Sequence, residues 1–108
     1  MAQTTAQNTL DLLILKTLSR APNHGFGVTV HIQTASEGLL RIEEGSLYPA
    51  LHRLERSGLI RGEWALSENG RRARYYQLTN SGRTHLERQE QQWRSLSNGV
   101  GRVLEFAL

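Results

Sequence analysis

EGSLYPALHRLERSGLIRGEWALSENGRRARYYQLT, residues 44–79, decides how this chain is read. Leu47, Leu51 and Leu54 recur at helical spacing and give way to Ser57-Gly58, which predicts a short helix starting within 43–46. Ser46 can cap it, or Glu43 or Glu44 can sit at its positive end. Pro49 must then fall in the first turn or just after, where a missing N–H costs little. Two strands follow, Leu59–Leu66 and Ala73–Thr79, joined at Asn69-Gly70. Asn and Gly both tolerate the positive φ of a type I′ turn, which sets an expected register of Trp64 opposite Tyr75 and Leu66 opposite Ala73. Arg72, Arg74 and Tyr76 then share the opposite face with Arg61 and Glu63.

With its leucines inward, the helix turns out Ser46, Tyr48, Pro49, His52, Arg53 and Arg56. Such a face suits a groove lined with hydrogen-bond acceptors and phosphates, and it is also what an ordinary solvated helix shows. The hairpin tip is more specific. Arg71, Arg72 and Arg74 lie within four positions, where like charges repel, so an anionic partner makes sense of them. Charge that merely protects an edge strand usually comes from lysine. Of Tyr75 and Tyr76, one ring is expected to pack in the wing and the other, Tyr76, to face a nucleic-acid backbone. A helix followed by a basic hairpin is the order in which a winged helix-turn-helix meets DNA.

The remaining chain reads as support. Asn8 or Thr9 can cap a first helix after a frayed start at residues 1–7. Leu10, Leu13, Ile14, Thr17 and Leu18 share one face of it, and Leu12 and Leu15 lie on another, which needs a second surface to pack against. Ala21–Gly25 stops that helix, and a second fits about Gly25 to Glu37, carrying Phe26, Val28, Val30 and Ile32. Leu39–Ile42 connects onward as a loop or short strand. After Thr79, a cap, a long helix repeats Leu86, Trp93, Leu96, Val100 and Val103 at a 3.5-residue period, the pattern of a helix that pairs. Gly99 and Gly101 are expected to bend or fray its end. Trp93 on that seam reads as an interface anchor, or as a stacking platform for a planar aromatic ligand between two copies.

Composition narrows the function classes. The chain has 108 residues, enough for one domain, and a net charge of +3 with 13 basic residues, all arginine but Lys16. No cysteine is present, so disulfides and thiolate metal sites are excluded. His24, His31, His52 and His85 lack metal-ligand spacing, and Asp11 is the sole aspartate. No nucleophile elbow or phosphate-cradling glycine loop appears, so no enzyme, metal or cofactor is expected. No apolar run approaches a membrane span, and MAQTTAQNT (1–9) is not a secretory leader, so a cytoplasmic location is expected.

The segments GSLYPALHRLERSGLI (45–60), Trp64, NGRRARYYQLT (69–79) and SGRTHLERQEQQW (81–93), preceded by LDLLILKTL (10–18) and HGFGVTVHI (24–32), resemble the PadR family of bacterial transcriptional regulators, over roughly residues 9–96. The resemblance implies a mostly α fold with a small β-hairpin wing: a winged helix-turn-helix over 1–79 and a C-terminal dimerisation helix over 80–108. It implies a homodimer, usually a repressor, with the helix matching 45–57 in the major groove and the wing matching 69–76 on the backbone or minor groove. Ser46, Tyr48, Pro49, His52, Arg53, Arg72 and Arg74 carry over as DNA contacts, joined by Arg71 and Tyr76 from the wing reading. Ala73 departs from members with a basic residue there. Members with a short C-terminal helix include multidrug sensors that stack ligands on a tryptophan at the position similar to Trp93. The expected assembly is a homodimer on an inverted-repeat operator in double-stranded DNA. Its interface would comprise Leu12, Leu15, Leu86, Trp93, Leu96, Val100 and Val103. The alternative is a protein-interaction module that uses the fold without DNA.

Overall fold

Helix α1, Ala2–Arg20, runs through the centre of the molecule and lends its apolar residues to nearly every other element. The structure, a computed structural model, describes residues 2–107, with side chains from Thr9 onward. Both expected caps of α1, Asn8 and Thr9, lie inside it, because the capping signal is local and the chain before it continues the helix. Of the expected frayed start, Met1 lies outside the described residues.

Next come β1 (Asn23–His24), α2 (Gly25–Ala35), α3 (Glu44–Arg56), β2 (Ile60–Leu66), β3 (Arg72–Leu78) and α4 (Asn80–Glu105). The sheet is antiparallel with order β1-β3-β2. Strand β1 occupies the segment that the sequence suggests only as a helix stop. A two-residue strand has no periodicity to announce it, and its pairing with Tyr75 and Tyr76 is long-range. Leu39–Ile42 forms no strand.

Ile14, Leu15, Val28, Leu47, Leu51 and Ile60 are the largest fully buried side chains, so α1, α2, α3 and the base of the wing share one core. Helix α2 is capped by His24, whose Nδ1 accepts from the Gly27 N–H at 3.0 Å. Helix α3 starts one turn earlier than a Ser46 cap would place it: Glu43 is the N-cap, without a side-chain bond, and Pro49 stands inside the helix. Thr79 caps α4 as expected, its Oγ1 accepting from the Gly82 N–H at 3.0 Å. Helix α4 then continues past Gly99 and Gly101 to Glu105. Its first turns are seated on the wing. A Cβ at position 82 would stand 2.0 Å from the Leu59 carbonyl oxygen, so only glycine allows that approach.

The hairpin departs from the expected register by one residue. The Gly70 N–H donates to the Ser67 carbonyl at 2.9 Å and the Ser67 N–H to the Arg71 carbonyl at 2.7 Å. Gly70 carries φ 76°, and Asn69 does not have a positive φ. This is a three-residue loop ending in a left-handed glycine with a bulge, instead of the two-residue turn that Asn-Gly suggests. Trp64 therefore pairs with Arg74, Leu66 with Arg72 and Glu63 with Tyr75. A one-residue slip changes every neighbour. Arg72, Arg74 and Tyr76 share their face with Trp64 and Leu66, and Arg61 and Glu63 lie on the other.

Candidate nucleic-acid interface

Helix α3 buries Leu47, Ala50, Leu51 and Leu54 and exposes Ser46, Tyr48, Pro49, His52 and Arg56, as its 3.6-residue period dictates. Tyr48 is 43% exposed while its ring packs over Gly25 at the start of α2; a Cβ there would be 2.9 Å from its ring. Arg53 is the exception on this face. It is half-buried and ion-paired at 2.5 Å with Asp11 on α1. Burial pushes the Asp11 carboxyl above its usual range, and the Arg53 guanidinium offsets this only in part. Arg53 thus ties α3 to α1 through one Nη2 contact, with its side chain 32% exposed.

The wing arginines also divide. Arg74 donates to Glu55 of α3 at 2.6 Å, and Glu55 also accepts from the Gly62 N–H at 3.3 Å. The bond to Glu55 holds Arg74 more firmly protonated than a free guanidinium. Glu55 therefore links helix α3 to the wing. Arg71 and Arg72 are exposed and have no ion-pair partner among the described residues. The Arg72 guanidinium lies 5.0 Å from the centre of the Trp64 ring; Arg74 lies 5.7 Å from Trp64 and 5.9 Å from Tyr76.

Tyr76 does not face outward. It is 4% exposed, and burial raises its phenol pKa. The register slip turns its ring into the core, so the outward-facing position expected for Tyr76 is not the one it takes. Tyr75 instead packs on His24 at 5.2 Å between ring centres. Asp11, Glu55 and Trp64, absent from the expected contact set, organise the arginines around them. Asp11 and Glu55 carry no local signal for this, since their arginine partners lie 42 and 19 residues away.

On α4 the expected interface residues separate as well. Leu86 is 5% exposed and Leu15 fully buried, both in the chain's own core, so neither is available to a partner. The first half of α4 packs on α1, with Lys16 and Glu90 paired at 3.2 Å. Hydrogen bonds from Arg94 and then Lys16 hold the Glu90 carboxyl below its ordinary range. Leu12 is half-buried against the core. Trp93, Leu96, Val100 and Val103 remain open, at 44, 55, 47 and 76% exposure, with Leu104 and Phe106 beyond them.

Three packed helices, a three-stranded sheet and a basic hairpin projecting beside an exposed polar helix define a winged helix-turn-helix protein. The chain belongs to the transcriptional regulator PadR-like family, whose profile matches residues 14–88. It is 40% identical over 101 residues to a 37.1 kDa protein of a transposon from Streptomyces fradiae, a match covering 94% of this chain. It is 41% identical over 63 residues, 58% of its length, to a transcriptional regulator of Mycobacterium tuberculosis. The matches span 27% and 55% of those two proteins. Among solved structures, a PadR family regulator from Eggerthella lenta superposes with a TM-score of 0.78 at 34% identity, over 99% of this chain and 91% of that one. The M. tuberculosis and E. lenta proteins are named transcriptional regulators, and no helix among the described residues is long and apolar enough to cross a membrane.

Proposed function

We propose that this chain is a homodimeric, sequence-specific DNA-binding regulator, acting as a repressor in the cytoplasm. The observation that carries this is the pairing of two unneutralised wing arginines, Arg71 and Arg72, with the exposed α3 face of Ser46, Tyr48, Pro49, His52 and Arg56. The helix supplies groups for base edges and the wing supplies charge for the backbone beside them. Residues 1–79 hold these surfaces, and residues 80–108 hold the pairing helix. The open stripe Trp93–Leu96–Val100–Val103 has the alternating three- and four-residue spacing of a helix seam, which supports a second copy as its cover. A twofold pair would set two α3 helices about one DNA turn, roughly 34 Å, apart on an inverted repeat.

A fluorescence-anisotropy titration on the promoter upstream of the chain's own gene, repeated across salt concentrations, tests the proposal. Binding should weaken steeply with salt and exceed binding to an unrelated duplex. No binding at low salt would favour the protein-interaction module instead. Trp93, 44% exposed within an apolar stripe, favours one refinement: a planar aromatic effector stacked between the copies relieves repression. Quenching of Trp93 fluorescence in a Trp64→Phe background tests it, and absence of quenching across planar compounds leaves Trp93 as packing.

A further inference from the structure

The two wing arginines that flank Trp64 are in different electrical states. Arg74 already has a carboxylate, Glu55, at 2.6 Å, whereas Arg72 has none among the described residues. Arg72 nevertheless is not loose. Its guanidinium sits 5.0 Å from the centre of the Trp64 indole, inside the range of a cation–π contact. Trp64 is 58% exposed on a strand face that also carries Leu66 at 70%. An indole left this open at a wing is not needed by the core, whose closure falls to Ile60 and Tyr76 on the same sheet face. A cation–π contact engages the guanidinium without using its N–H donors, which stay free to fork onto a phosphate oxygen pair. A long side chain so held loses less freedom when it binds.

We propose that Trp64 is a positioning residue for DNA binding: of the two arginines beside it, it presents Arg72, and not Arg74, to a backbone phosphodiester. The proposal rests on the DNA-binding function proposed above. Arg74 instead braces the wing against α3 through Glu55. Register brings this about, because the bulged loop sets Trp64 across from Arg74 with Arg72 diagonal to it, within reach of a long side chain.

The test is anisotropy on a fluorescein-labelled mixed-sequence duplex of about 30 base pairs, three helical turns. Trp64→Leu should weaken binding roughly two- to fivefold, while Trp64→Phe keeps most of the affinity. Arg72→Ala should weaken it further and lower the salt slope by about one unit. The Trp64→Leu/Arg72→Ala double variant should match Arg72→Ala alone, since Arg74, the other arginine near the indole, is already held by Glu55. A merely structural role for Trp64 predicts losses that multiply. Multiplying losses, or an unchanged Trp64→Leu, would overturn the assignment. The DNA-free parent gives an independent check: the Arg72 Hε proton resonance should be moved upfield by the indole ring current. A resonance at its ordinary position overturns the cation–π contact whatever the variants do. Failure of the parent itself to bind any duplex removes the underlying function, a result distinct from a parent that binds with an indifferent Trp64.

Discussion

Glu55→Gln should make this protein bind DNA with a steeper dependence on salt. The Glu55 carboxylate sits on α3 and holds Arg74 at 2.6 Å, with the Gly62 N–H at 3.3 Å on the same oxygen. Glutamine keeps an acceptor for Gly62 and removes the charge that neutralises Arg74. The freed guanidinium lies on the same strand face as Arg72, so it can reach a further phosphate. Each added contact steepens the slope of log K against log salt by about 0.9. Between 50 and 200 mM salt, a fourfold change, the variant's affinity should therefore fall about 3.5-fold more than the parent's. At low salt it should bind mixed-sequence DNA more tightly while resisting denaturation less, because the brace between wing and helix is weakened. Anisotropy at several salt concentrations and a urea titration measure both quantities. Glu55→Gln/Arg74→Ala serves as the control and should return the slope to the parent's. A folded Glu55→Gln variant with the parent's slope would refute the idea that Glu55 holds Arg74 off the duplex.

Other expectations follow from the same geometry. Arg71→Ala with Arg72→Ala should weaken binding to all sequences alike and lower the salt slope by about two units; a slope unchanged from the parent's would remove the wing from the contact surface. Gly82→Ala would force a Cβ to 2.0 Å from the Leu59 carbonyl oxygen, backbone that has little room to yield, and should cost about 3 kcal/mol in a urea titration, the upper end of overpacking penalties. An unchanged midpoint would mean that α4 pivots freely at its start. Val100→Asp, on the open stripe of α4, should give a monomer by light scattering, and a persistent dimer would place the pairing surface elsewhere. Asp11 and Glu90 should respond to pH in opposite senses. The raised pKa of Asp11 means that its contribution is full below about 3.9 and lost as pH rises through the folded value, so Asp11→Asn should gain on the parent from acid to neutral pH. The lowered pKa of Glu90 means stability present above about 4.3 and lost as pH falls through the folded value, so Glu90→Gln should lose ground over the same rise. Parallel trends in thermal unfolding would contradict these signs.

Periodicity and punctuation in the chain announce most of the architecture. The leucines at 47, 51 and 54, the Thr79 cap, the Asn69-Gly70 turn and the repeat from Trp93 to Val103 each act within a few residues, so each could be read without a partner. These local signals determined four helices, a hairpin and a basic tip beside a polar helix. What they could not determine was how residues far apart share charge and space. Asn-Gly permits a two-residue turn, yet the strands settled on a three-residue loop because the whole ladder from Ile60 to Leu78 must place Ile60 and Tyr76 in the core. That choice alone moved Tyr76 inward and set Trp64 against Arg72. Which arginines remain free was likewise decided by Asp11 and Glu55, at separations of 42 and 19 residues. Which α4 residues remain open was decided by α1, which takes Leu86 into the core and leaves Trp93 onward uncovered. Ion pairs and burial are properties of distance in space, and they come into being only when the chain has closed on itself.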